Sequence, residues 1–222
     1  MSIVEKFAPY DGLAEYLLPH VIGNADDASH DMSHLLRVWR NVQAISETEG
    51  GDREVLVAAT LLHDCVDVPK NSPLRPRASR MAADKAKPLL ADYGWPKDKV
   101  ASVAHAIEAH SFSAQIEPET IEAMILQDAD RLDAIGYVGI ARCFYVSGRL
   151  ERGLYDPADP SAANRDLDDL SFAIDHFSTK LLKLSGSFRT EAGQALATAR
   201  HGIVEEFLSG FLAEVSSHST GE

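Results

Sequence analysis

Cysteine is scarce in this chain: Cys65 and Cys143 are the only two among 222 residues. So few exclude a disulfide framework, and there is no CxxC pair to offer a thiolate metal site. Both fall in apolar helical stretches and read as buried free thiols of a reducing compartment. Long apolar runs are missing as well, since none approaches the roughly 18 residues needed to span a bilayer. The opening MSIVEKFAPYDGLAEYLLPH has no basic segment followed by an apolar one, so no signal peptide is expected. These absences predict a cytoplasmic protein with no membrane partner. Positive charge is in deficit too: 21 Lys and Arg stand against 34 Asp and Glu, a formal net charge of -13. Phosphate backbones are held by dense Lys and Arg surfaces, which argues against polymeric DNA or RNA as a partner. A single nucleotide is still allowed, because a metal and a few arginines can meet its charge.

No convincing period-two strand pattern occurs. Apolar residues recur instead at spacings of three and four, as in Leu35, Val38, Val42 and Ile45, or Ile174, Phe177, Leu181 and Leu184. Proline and glycine divide this pattern into helices. The spacing predicts helices over about 3–18, 27–49, 52–65 and 78–92, with stops at Gly50-Gly51 and Gly94. Pro96 then opens a helix to about His110 and Pro118 one to Ile135, which Gly136 to Ser147 either continues or follows with the next. Residues 148–166, rich in Gly, Pro and Asp, are the long loop, and helices over about 167–184 and 187–214 finish the chain. The expected fold is all-α: one helical bundle domain of about eight to ten helices over residues 1–222, with its core at about 20–214.

Three separated signals carry chemistry: His34, the His63-Asp64 pair in LLHDCVD, and Asp130 in LQDADRLD. Burying a His-Asp pair among leucines is costly unless something satisfies it, and a divalent cation would. Neutral imidazole nitrogen and carboxylate oxygen both bind such ions. Adjacent side chains on a helix diverge by about 100°, so His63 and Asp64 can grip one ion only at a helix end or bend. Pro69 follows closely and favours an end there. Taken singly, His34 is a common core or surface histidine, and an HD dipeptide is frequent by chance. HDMSH also sets His30 and His34 four apart on one face, with Asp27 and Asp31 beside them.

The H…HD…D order resembles the HD superfamily of metal-dependent phosphohydrolases. A bacterial subgroup of it is similar in wording to SHDMSHLLRV (29–38), LLHD, AHSFS (109–113), QDADRLDAIGYVGIARCF (127–144) and DHFSTKLLKL (175–184). The likeness runs from about residue 20 to 214. It implies an all-helical fold and one divalent ion (Mn²⁺, Mg²⁺, Co²⁺, Ni²⁺ or Fe²⁺) held by His34, His63, Asp64 and Asp130. It also implies hydrolysis of phosphoester or phosphoanhydride bonds, frequently in nucleotides. Relatives place the last ligand in an Ala-Asp-Arg-Leu context, which selects Asp130 over Asp128 and Asp133. Asp133, about 60° from Asp130 on a helix, then reads as orienting a ligand or a basic residue. Asp128, roughly opposite, is left as a helix-start residue or a substrate contact.

A bound cation lowers the pKa of its water and neutralises phosphoryl charge, so that water attacks in line while an acid protonates the leaving group. Asp67 is expected to be the proton shuttle. It stands where related nucleotidases carry a catalytic carboxylate, and on a continuous helix it would share the face of His63. The segment VPKNSPLRPRASR gathers Lys70, Arg75, Arg77 and Arg80 in an acidic chain. Arg75 and Arg77, with His30, are assigned to substrate phosphates, the alternative being a plain exposed loop. Lys180 shares a helix face with His176, Phe177 and Leu184, so it is expected to be partly covered and to seek an anion in catalysis and substrate binding. His105 and His110 stand about 140° apart on a straight helix and cannot both face one ion. His110, at a helix end, is expected to contact substrate or the attacking water. The reading is a nucleotide phosphohydrolase releasing pyrophosphate from a triphosphate or phosphate from a monophosphate. An HD-type di-iron oxygenase, needing His105 or His110 as ligands, and a non-catalytic nucleotide sensor stay open. GIARCFYV could form a homodimer face, although core packing explains it as well.

Overall fold

The computed structural model describes residues 2–21, 32–68 and 72–216. Among these residues there is no strand, only an isolated bridge between Gly153 and Phe172. The α-helices in chain order are α1 (Asp11–Leu17), α2 (Met32–Glu49), α3 (Arg53–Leu62), α4 (Ala78–Asp92), α5 (Lys97–His110), α6 (Ile121–Leu132), α7 (Gly136–Arg149), α8 (Asp175–Thr179) and α9 (Glu191–Val215). The all-α expectation holds, and none of these helices is long and apolar enough to cross a membrane.

Several boundaries differ from those the spacing predicts. The first helix is broken into a 3-10 turn, Val4–Phe7, and α1, because Pro9 has no amide to give to a continuing helix. Instead of opening at Pro118, α6 begins at Ile121. The helix expected over 167–184 is replaced by loop as far as Ile174, then α8 and a 3-10 turn, Leu181–Ser187. Its aspartates explain this, since they capture backbone amides that a helix would need. Asp168 accepts from Leu170 N and Ser171 N, each at 3.1 Å, and Asp175 accepts from Asp168 N at 2.7 Å and from both Arg165 Nη atoms.

Two compact units divide the chain: Met1–Asp130 with Arg189–Gly193, and Arg131–Phe188 with Gln194–Glu222. In the first, α3 is the central element. Its sequence VLVAATLL has no polar face, and every residue from Val55 to Leu62 is buried. Helices α1, α2 and α5 pack against it, and α4 packs on α5. Gly50 and Gly51, with φ of 82° and 91°, turn the chain from α2 into α3 in a conformation other residues resist. Asp52 then caps α3, accepting from Glu54 N at 2.8 Å and Val55 N at 3.3 Å.

The second unit is built round aromatic rings. Phe177 stacks on Phe207 with centroids 5.5 Å apart, and Phe144, Phe211 and Tyr155 extend the cluster. Here buried Asp133 pairs with Arg142 at 2.6 Å, the basic partner the sequence suggested. Cys65 in the first unit and Cys143 in the second are buried free thiols, as expected, and burial pushes both up to about 11.

Candidate metal centre

Three segments of the first unit bring the predicted ligands together. His34 is the third residue of α2, His63 and Asp64 come from the turn that ends α3, and Asp130 from the last turn of α6. The helix end expected near the His-Asp pair is present: α3 stops at Leu62, with His63 as its C-cap. Chain direction changes there, and the two side chains converge where a straight helix would splay them. His63 Nε2 lies 3.5 Å from Asp64 Oδ2 and 3.4 Å from His34 Nε2. His34 Nε2 is in turn 3.4 Å from Asp130 Oδ1 and 3.9 Å from Asp64 Oδ2.

His110, at the end of α5, joins this cluster with Nε2 3.7 Å from Asp64 Oδ1 and its ring edge-on to His63. Two triplets therefore have donor atoms close enough to share an ion: His34, His63 and Asp130, and His63, Asp64 and His110. His105, by contrast, accepts from Glu119 N at 2.9 Å and stands outside both, as the angular argument required.

Backbone carbonyls fix which ring nitrogen is presented. The last four carbonyls of a helix lack intrahelical partners. His63 Nδ1 uses that of Thr60 at 2.8 Å, and His110 Nδ1 that of Ile107 at 2.6 Å. With Nδ1 donating, both rings turn Nε2 to the cluster, the arrangement metal-binding histidines need. Burial is the largest influence on His63 and lowers its pKa, which favours the neutral, lone-pair-bearing ring. Burial acts the same way on His110, but there the hydrogen bond and charge of Asp64 outweigh it and raise the pKa.

Around this centre the remaining expectations divide. Arg75 and Arg77 form a 3-10 turn lying against the turn Phe112–Ala114 that follows His110. Arg75 is half-buried and donates to the Val68 carbonyl at 3.1 Å, while Arg77 is exposed. Asp67 is exposed in non-helical chain, so the helical face it was to share with His63 does not exist. Lys180 belongs to the second unit and is exposed, which corrects the expectation of a covered ammonium: α8 ends at Thr179 and takes Lys180 off the face of Phe177. His30 and Lys70 lie outside the described residues.

Asp128, left ambiguous by the sequence, is fully buried and binds backbone. It accepts from Arg189 N at 2.9 Å, Thr190 N at 2.8 Å and Thr190 Oγ1 at 2.7 Å. Thr190 Oγ1 accepts from Gly193 N at 3.0 Å, and any Cβ at Gly193 would run into the Asp128 carboxylate. Sequence reasoning also missed Lys85, whose Nζ holds the Cys65 carbonyl, next to Asp64, at 2.9 Å.

Comparison with known proteins agrees with this geometry. The HD domain family model matches residues 32–135, a span that contains all four predicted ligands and His110. The YpgQ protein of Bacillus subtilis is 34% identical over 187 residues, covering 82% of this chain and 83% of its own. Its crystal structure in complex with ADP superposes with a TM-score of 0.70 at 28% identity, over 98% of each chain. An HD-superfamily hydrolase from Bacillus thuringiensis gives a TM-score of 0.70 at 29% identity, over 98% of this chain and 100% of that one. A family match centred on the His-Asp cluster, with likeness to relatives over nearly the whole length, places the chain in the HD-domain family of metal-dependent phosphohydrolases.

Proposed function

We propose that the protein hydrolyses a phosphate bond of a nucleotide, with His34, His63, Asp64 and Asp130 holding one divalent cation. The observation that carries this reading is the convergence of two imidazole Nε2 atoms and two carboxylates at 3.4 to 3.9 Å. Such a set of acceptors repels itself unless a cation or protons lie among them, and a nitrogen–oxygen set of this kind suits Mn²⁺, Fe²⁺, Co²⁺ or Ni²⁺. When bound, the ion would polarise a phosphoryl oxygen and lower the pKa of water. The chain's own residues do the rest. Thr60 and Ile107 carbonyls keep the imidazoles oriented, and His110 exchanges protons at Nε2, the ring nitrogen that faces Asp64. Asp67, exposed three residues after Asp64, takes or returns the proton of the leaving group. Arg75 and Arg77, beside the turn that follows His110, supply cations to the substrate phosphates. The nucleotide assignment draws on the ADP bound to YpgQ.

The second triplet, His63, Asp64 and His110, supports a two-ion reading, which elemental analysis giving two metals per chain would select. The test of function is product analysis. Metal-free protein is reloaded with each divalent ion in turn and given nucleoside mono-, di- and triphosphates. Metal-dependent release of phosphate or pyrophosphate, absent from the His63→Ala, Asp64→Ala double variant, is expected. No turnover of any nucleotide by fully loaded protein would refute the substrate assignment.

A further inference from the structure

The ligand-bearing segments are held at the peptide bonds next to the ligands themselves. On α2, Asn41 is 6% exposed and donates from Nδ2 to the Ala129 carbonyl at 2.9 Å, one residue before Asp130. On α6, Gln127 is 2% exposed and donates from Nε2 to the Ala109 carbonyl at 2.6 Å, one residue before His110. Both acceptors lie in the last turn of their helices, where carbonyls lack intrahelical partners.

The placement of the two donors is informative. Asn41 stands seven residues after His34, two turns along the same face of α2. Its bond to Ala129 therefore joins the same two helices that supply His34 and Asp130. Gln127 stands three residues before Asp130 on α6 and reaches the helix end that supplies His110. Its amide cannot turn round freely, because Oε1 receives Arg189 Nε at 3.4 Å and Arg189 pairs with Glu117 at 2.7 Å. Two buried carboxamides thus tie α2 to α6 and α6 to α5, each at a peptide adjoining a cluster residue.

We infer that Asn41 and Gln127 are positioning residues that set the metal affinity of the cluster by fixing the register of α2, α5 and α6. The inference rests on the metal reading given above. Partners of this outer kind change metal affinity by about 10- to 100-fold when removed.

The test uses Asn41→Leu and Gln127→Met, which keep the side-chain volume but lose the donor. Trp39→Phe is the control: it removes the bond from Trp39 Nε1 to the Lys6 carbonyl, 2.9 Å, in the same unit but at no ligand-adjacent peptide. Metal-free full-length protein is titrated with Mn²⁺ by calorimetry, and its stability is read separately by urea denaturation. The Mn²⁺ Kd is expected to rise about 10-fold or more in Asn41→Leu and Gln127→Met and to stay at the wild-type value in Trp39→Phe, although all three lose stability. If Asn41→Leu does not fold, Asn41→Ser, too short to reach Ala129, reads the same Kd. Wild-type Kd in both carboxamide variants, or an equal loss in Trp39→Phe, overturns the positioning role alone. Failure of the wild type to bind Mn²⁺ overturns the metal reading and this inference with it.

Discussion

Single residues at this centre owe their geometry to main-chain atoms that the sequence does not spell out. The candidate residues were legible: His34, His63, Asp64 and Asp130 lie close together, and His110 rather than His105 stands beside them. Pro69 made a helix end near the pair legible, but not the stop at Leu62 itself, since nothing in LLHDCVD forbids another turn. That single boundary brings His63 and Asp64 together, and it also removes Asp67 from the helical face on which its role was argued. The shuttle role of Asp67 now rests on its position alone. Asp67→Ala should lower kcat by about 10²-fold or more while leaving the Mn²⁺ Kd unchanged, read by steady-state kinetics beside a metal titration. An unchanged kcat would leave proton transfer to His110. Asn41 and Gln127 went unnoticed for a related reason: a polar residue inside an apolar helical stripe shows that a partner is needed, but not that the partner is a carbonyl next to a ligand.

Among the elements, the helices with strong periodicity and glycine or proline ends were read well, and those with aspartate-rich starts were not. Helices α4 and α5 fall where Gly94 and Pro96 put them, whereas 167–174 is loop because Asp168 and Asp175 bind amides there. The same chemistry stabilises α3, which positions the centre. Burial acts most strongly on Asp52 and raises its pKa, but hydrogen bonds from Val55, Glu54 and Lys99 outweigh it and leave the carboxyl below its ordinary value. Replacing Asp52 by Ala should cost about 1 kcal/mol, seen as a lower urea midpoint at pH 7. The unfolded chain binds the proton more readily, so this contribution is present above the ordinary carboxylate pKa of about 4 and is lost as pH falls through the lowered folded-state value. The wild-type and Asp52→Ala midpoints should therefore approach each other below about pH 4. Midpoints that differ equally at pH 3 and pH 7 would contradict the capping account.

For the whole molecule, composition argued against several classes of function, and the match to the HD domain is what points to a metal-dependent phosphohydrolase. An acidic chain with a net charge of -13 can engage a compact polyphosphate only where cations are concentrated, and the Arg75–Arg77 turn together with an ion held by the His-Asp cluster would be such a place. Because the metal would bind the folded chain and not the unfolded one, saturating Mn²⁺ at 100 times its Kd should add about 2.7 kcal/mol of stability. For a chain of this length that is a rise in Tm of about 5–10 °C over protein treated with chelator, measurable by calorimetric melting. Equal melting temperatures with and without metal would count against a folded-state site. The most direct test is the binding isotherm of Mn²⁺ to metal-free wild type beside the His63→Ala, Asp64→Ala double variant. Saturable binding in the wild type, lost in the double variant with its helical content intact, is the predicted result. Equal binding by the two proteins would contradict the assignment of the metal centre.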